Sequence, residues 1–246
     1  MIYRARRSDA PFLTPREIFM QYQLRDSLSF CVVDGHPIFL DISGDRYFML
    51  PATLERAFTA YIDGHDLSTS SLRTLLEHKI LLPAGHLERR CQTSCAKPAT
   101  RSAMEDQVQD EGVSVREYLK VLAIVCKVRS RLRRKSLYVL LNDLAAHRRS
   151  KVSPSAAASR KSIDADVVAA ANQFHRARKW VPFGTTCLLD SLSLVTYLAN
   201  RHLPADLVFG VALSPFSAHC WVQFRHIVLN ETVTGAAAHT QILVWQ

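Results

Sequence analysis

Cys187 stands in Gly184-Thr-Thr-Cys187, directly before an apolar helical stripe of Leu188, Leu192, Val195 and Leu198. A cysteine at a helix N-terminus feels the positive end of the macrodipole and backbone N–H groups that have no intrahelical partner. Both favour the thiolate, the nucleophilic form of the side chain. The same N–H groups, that of Cys187 included, suit an oxyanion on an attacked carbonyl. Taken alone, a cysteine in this place is more often a packing residue. The case for chemistry therefore depends on what accompanies it.

A second group lies in Ser214-Pro-Phe-Ser-Ala-His219-Cys-Trp-Val-Gln223, where a histidine enters a strand-like run with apolar alternate neighbours. A thiol nucleophile needs a base within hydrogen-bond reach, and a rigid strand packed on the nucleophile helix supplies that placement. The third group is Ile227-Val-Leu-Asn230-Glu231. A tight turn near Arg225-His226 would return the chain beside His219, so that Asn230 or Glu231 could fix the imidazole tautomer and stabilise its charged form. Adjacent strand residues face opposite sides, so only one of the two should do so. By the same alternation Cys220 is expected to point away from Cys187 and to serve packing. A helix-start Cys, a strand His and a next-strand acceptor, in that chain order, form the arrangement of papain and the transglutaminases.

The elements that must position these groups divide the chain of 246 residues into two parts, an α+β organisation. Leu28–Val33, Pro37–Asp41 and Arg46–Leu50 read as three strands punctuated by Asp34-Gly35 and Ser43-Gly44-Asp45. Pro51 opens a helix to about Ile62, and Thr69 can cap another over Ser70 to His78. Three strands and short helices make residues 1–86 a winged-helix-like unit. Residues 87–112, with the stretch RRCQTSCAKPATRSAMEDQVQDEG, are charged, small and nearly aperiodic, and read as a linker. Residues 113–246 form the second domain. Its helices are expected over Val115 to Arg133, Ser136 to His147 and Ile163 to Lys179, and strand-like runs follow Cys187 at Ala205–Leu213, Ala218–Phe224 and His226–Leu229.

Residues 185 to 231 resemble the leader-processing B proteins of lasso peptide biosynthesis, a transglutaminase-like cysteine peptidase family. The matching stretches are Thr-Cys-Leu at the nucleophile helix, Ala205-Asp-Leu-Val-Phe-Gly210-Val, Pro215-Phe-Ser-Ala-His219-Cys-Trp-Val and Val228-Leu-Asn-Glu231. The resemblance implies Cys187 as nucleophile and His219 as base, with the family's aspartate position falling on Glu231, one methylene longer. Gln223 stands where the family often has Glu, and His226 replaces a small turn residue. The N-terminal part resembles a PqqD-like peptide-recognition element, which captures a leader peptide by adding it as a strand to a sheet edge. The edge candidate carries Arg46, Tyr47, Phe48 and Met49, and the neighbouring helix Leu72, Leu75 and Leu76. The implied partners are a precursor peptide and an ATP-dependent lasso cyclase. No cofactor or metal is required, and the chain has no P-loop.

Composition sets the remaining bounds. Hydrophobic residues at 48% and charged residues at 22% describe a folded domain protein. The N-terminus lacks the apolar run of a secretory signal and no stretch has membrane-spanning length, so a cytoplasmic protein is expected. Six scattered cysteines then read as free thiols. Cys91 and Cys95, with His86 nearby, fall short of the four ligands of a zinc site. The net charge of +9, concentrated in Lys127–Lys135 and Arg176–Lys179, favours acidic partners. It also leaves room for a rival reading, a DNA-binding winged-helix regulator in which Cys187 is structural. Two others keep the fold: an acyl-transferring transglutaminase, and a leader chaperone without catalysis.

Overall fold

A computed structural model describes residues 22–65, 67–83, 96–105, 112–151 and 163–246. Cys91, Cys95 and His86 lie outside the described residues. The chain is mixed α+β. Its first part holds β1 (Tyr22–Leu24), β2 (Leu28–Val33), β3 (His36–Asp41), β4 (Arg46–Met49), α1 (Ala52–Ile62), α2 (Thr69–Glu77) and β5 (Leu81–Pro83). Asp34 and Gly35 both take positive φ, which a two-residue turn between β2 and β3 requires. At the β3–β4 turn the Asp41 carboxylate accepts from the backbone of Ser43 and Gly44, both at 3.1 Å, and pairs with Arg25 at 2.7 Å. That explains how a carboxylate only 4% exposed is tolerated. The antiparallel sheet runs β2-β3-β4, leaving β4 as an edge among the described residues. β1 and β5, which the sequence pattern does not announce, pair separately.

Alternation sends the two faces of this sheet to different cores. Leu28, Phe39 and Phe48 pack on Leu54, Phe58, Leu72 and Leu75 of α1 and α2. Phe39 stacks on Phe48 at 5.2 Å and meets Phe58 edge-on at 4.8 Å. Cys31, Ile38 and Leu40 belong instead to the large core of the second part, reached across its last strand, β10.

The second part contains β6 (Arg101–Ser102), α3 (Val115–Leu132), α4 (Leu137–Lys151), α5 (Ile163–Arg178), α6 (Cys187–Ala199), β7 (Asp206–Ala212), β8 (Ser217–Phe224), β9 (Ile227–Val228), α7 (Val233–Ala237) and β10 (Thr240–Trp245). The sheet order is β10-β7-β8-β9-β6, antiparallel except for β6 on β9. Residues 96–105, expected as linker, are thus part of this sheet. Short backbone bridges hold them, Thr100 and Ala103 donating to the carbonyls of His226 and Val228, a kind of attachment that leaves no periodicity in the side chains. Helix α6 is enclosed by α3, α4, α5 and β8, with Leu192, Leu194, Val195, Tyr197 and Leu198 all buried. Such a helix is rigidly seated, so its first residue is too. No helix among the described residues is long and apolar enough to cross a membrane.

Candidate active site

Cys187 is the first residue of α6. Thr186 caps the helix, its hydroxyl accepting from the Leu189 N–H at 3.3 Å, while the N–H groups of Cys187 and Leu188 lie in the turn that a helix leaves unbonded. The approach to Cys187 is fixed by Arg178, a residue read from the sequence only as part of a basic run. Its buried guanidinium donates to Asp190 at 2.7 Å and to the carbonyls of Phe183 and Gly184 at 3.1 and 3.2 Å. One planar fork therefore ties the end of α5, the 183–184 segment and the first turn of α6 together.

His219 lies on β8, its ring between Trp221, at 6.2 Å, and His239, at 5.3 Å. Its Nε2 meets Glu231 Oε2 at 2.7 Å. The other nitrogen, Nδ1, is left for Cys187, which lies near enough for thiol and imidazole to shift one another. Glu231 is itself held: its Oε1 accepts from the Thr232 N–H at 2.8 Å, and its carbonyl accepts from Ser102 Oγ at 2.6 Å. Burial pushes its carboxyl up, but the bonds from Thr232 and His219 outweigh this and leave it below the usual carboxylate range. Nothing in the sequence pattern marks Gly235, yet a Cβ there would stand 2.5 Å from Glu231 Oε1. The longer carboxylate side chain at 231 fits because position 235 has no side chain.

Asn230 does not orient the base. Its Oδ1 accepts from Val222 N–H at 2.7 Å and its Nδ2 donates to Ser191 Oγ at 2.8 Å, while Ser191 Oγ donates to the Cys220 carbonyl at 3.1 Å. Asn230 and Ser191 thereby fasten α6 to β8. The fastening is possible because β9 pairs β8 at Gln223 and Phe224, which among the described residues leaves Cys220 without a strand neighbour on the side away from β7. Cys187 occupies that same open edge. Alternation does place Cys220 on the opposite face from His219, but the expectation that it avoids Cys187 is overturned. From the strand edge, the sulfur of Cys187 lies close enough to the Cys220 thiol and backbone N–H, as well as to His219, for all three to favour its thiolate. The Cys220 thiol, the His219 ring and the Cys220 N–H hold Cys187 down to about 4 against the opposing effect of burial. The same contact with Cys187, added to burial, pushes the Cys220 thiol far up, so it stays protonated as a donor. His219 is raised, first by its bond to Cys187 and then, against burial, by Glu231. These shifts favour a thiolate–imidazolium pair with its carboxylate in place.

The sequence model of the transglutaminase-like superfamily matches residues 125–244, which take in Cys187, His219 and Glu231. Residues 125–244 are a transglutaminase-like domain. No curated protein and no solved structure matches the chain. Members of this superfamily are enzymes, cysteine peptidases or acyl transferases, and the site of this transglutaminase-like domain has the parts either chemistry needs.

The residues expected to hold a peptide are distributed differently. On β4, Arg46 and Met49 are exposed, Tyr47 and Phe48 partly buried. On α2, Leu72 and Leu75 turn into the core beneath the sheet, Leu75 completely, and offer no groove surface; Leu76 is half-buried at its margin. Their helical spacing reflects packing, which apolar residues on an amphipathic helix usually serve. The basic run before Lys135 is also partly committed to the transglutaminase-like domain. Arg129 covers the Phe183 ring at 4.3 Å, and Arg131 and Lys135 share Asp143. No group of three or more His, Cys, Asp or Glu able to hold a metal occurs among the described residues.

Proposed function

We propose that this chain is a cysteine peptidase that removes the leader from a lasso peptide precursor. In this reading the N-terminal module docks the leader along β4, and the leader–core bond lies over Cys187. The observation that carries it is the Cys187–His219–Glu231 constellation, set beside a sheet edge that is unpaired among the described residues. Tyr47 of that edge strand meets Phe216, in the turn leading into β8, at a ring separation of 6.0 Å. A peptide added to β4 by main-chain hydrogen bonds would thus end close to the nucleophile.

The chemistry follows from the charge states. The Cys187 thiolate adds to the carbonyl carbon, and the carbonyl electron pair moves onto oxygen. Collapse breaks the C–N bond as His219 gives its proton to the leaving amine, the new N-terminus of the core. The leader stays on Cys187 as a thioester until water, deprotonated by His219, attacks and restores the thiol. Glu231 holds the imidazole in one tautomer throughout. The freed core amine is the substrate that an ATP-dependent cyclase would join to an acidic side chain. Such a partner, and a cytoplasmic location, belong to this proposal.

The test is incubation with candidate precursors encoded nearby, with mass spectrometry of wild type and Cys187→Ala. Leader and core released only by wild type is the expected result. Equal cleavage by both proteins refutes the proposal. Adducts between leader and added amines, in place of free leader, would assign acyl transfer instead.

A further inference from the structure

Helices α3, α4 and α6 do not close completely on one another. Between them lies a cavity of about 390 Å³, whose apolar wall is Ile124 and Val128 of α3, Leu140 and Leu144 of α4 and Leu192 of α6. A volume of that order takes a whole small molecule, and the space between packed helices is a common place for one. The polar side chains along the wall are mostly committed to one another. Thr196 Oγ1 donates to the Leu192 carbonyl at 2.7 Å, and His147 Nε2 meets Asn200 Oδ1 at 2.8 Å. Asp143, the one carboxylate in the lining, is held by Lys135 at 2.7 Å and by Arg131 at 3.5 Å. Lys127 remains. It lines the cavity beside Arg131, four residues on along the same helix face, is exposed, and has no ion pair among the described residues. The surrounding field has the same sign, since residues 127–151 carry nine Lys and Arg side chains against Asp143 alone. An apolar wall under a positive rim suits a ligand with an apolar body and one anionic end.

We propose that this cavity binds a small amphipathic carboxylic acid, a single-chain fatty acid of medium length, with its chain between α3, α4 and α6 and its carboxylate between Lys127 and Arg131. Burial of the methylenes supplies affinity, and the two cations supply the preference for an acid over an alcohol. The site shares no residue with the Cys187–His219–Glu231 constellation and does not depend on the reaction assigned to it. The two meet only through α6, whose first residue is Cys187 and whose Leu192 and Thr196 line the cavity.

The test is isothermal titration calorimetry of the full chain with hexanoate, octanoate, decanoate and 1-octanol. Saturable one-to-one binding of the acids is expected, tighter by about fourfold for each added methylene. Octanoate should bind at least about tenfold more tightly than octanol. Lys127→Glu, an exchange at an exposed position, should weaken octanoate by about tenfold or more while moving octanol less than about twofold. Ala146→Trp, which sets an indole at an exposed part of the lining, should abolish binding of both. Cys187→Ala should leave all affinities as they are, which keeps this proposal apart from the proposed peptidase activity. Equal affinity for octanoate and octanol, or octanoate binding unmoved by Lys127→Glu, would overturn the place given to the carboxylate. Binding that survives Ala146→Trp would put the acid elsewhere, and binding lost in Cys187→Ala would put it at the active site. Either result overturns the proposal, as does the absence of saturable binding to the wild type.

Discussion

Replacing Gly235 by alanine should damage catalysis while sparing the fold. The added Cβ would lie 2.5 Å from Glu231 Oε1, 2.8 Å from its Cδ and 2.9 Å from Thr232 Oγ1. Real Cβ contacts stay beyond 3.0 Å, so the carboxylate must retreat by at least about half an ångström to escape overlap. The His219–Glu231 bond is 2.7 Å, and such a retreat takes it to the limit of a hydrogen bond or past it. A hydrogen bond to a charged group contributes about 1.5–3 kcal/mol, which corresponds to roughly 10- to 100-fold in rate. Stability should move little, because the atom displaced is the tip of a side chain and alanine favours helix α7 by up to about 1 kcal/mol over glycine. The assay pairs thermal melting with the rate of Cys187 acylation or precursor cleavage. Adding Glu231→Asp to Gly235→Ala should recover part of the lost rate, since the shorter carboxylate clears the methyl. Wild-type turnover in Gly235→Ala, or a loss matched by unfolding, would refute the reasoning.

Alkylation of Cys187 should remain fast at pH 6, where an ordinary thiol is almost wholly protonated. With the thiol held down to about 4, the reactive thiolate is present above that value and lost as pH falls through it. Cys220→Ala and His219→Ala should each move the onset toward neutral pH; an onset unmoved in Cys220→Ala would refute the thiol–thiolate contact. Glu231→Gln should slow turnover, whereas Asn230→Ala should mainly lower the melting temperature. The latter strands the Val222 N–H, at a cost of about 1–3 kcal/mol, and removes the tie to Ser191; the reverse order would reassign the third member. Arg178→Lys should lower both stability and Cys187 reactivity, because an ammonium cannot bridge Asp190 and two carbonyls as the fork does. Unaltered melting would exclude that role.

Why some of this was legible in the sequence and some was not follows from the kind of interaction involved. Cys187 and His219 could be placed because helix starts and strand alternation are local properties, visible in the neighbours of each residue. Glu231 needed only the hairpin return at Arg225, which does take positive φ. Cys220 was misjudged for a definite reason. Alternation describes the two faces of a strand, whereas Cys187 approaches β8 along its unpaired edge, from which both faces can be reached. Arg178 and Gly235 act through one buried fork and one missing side chain, and neither leaves a periodic trace. β6 is a two-residue parallel pairing, below the length at which a pattern exists. The double burial of the N-terminal sheet did have a signal: Leu28–Val33 and Pro37–Asp41 run nearly continuously apolar, as strands covered on both faces do.

That double coverage bears on how the protein could have arisen and on what can be done with it. An N-terminal part standing alone would present water with the surface it lacks a partner for, here Cys31, Ile38 and Leu40. Severing this chain between its two halves would uncover those side chains together with the flank of β10, inviting aggregation in place of two working pieces. The halves should therefore melt in a single transition, and grafting either onto a foreign counterpart would demand that a matching apolar face be rebuilt first.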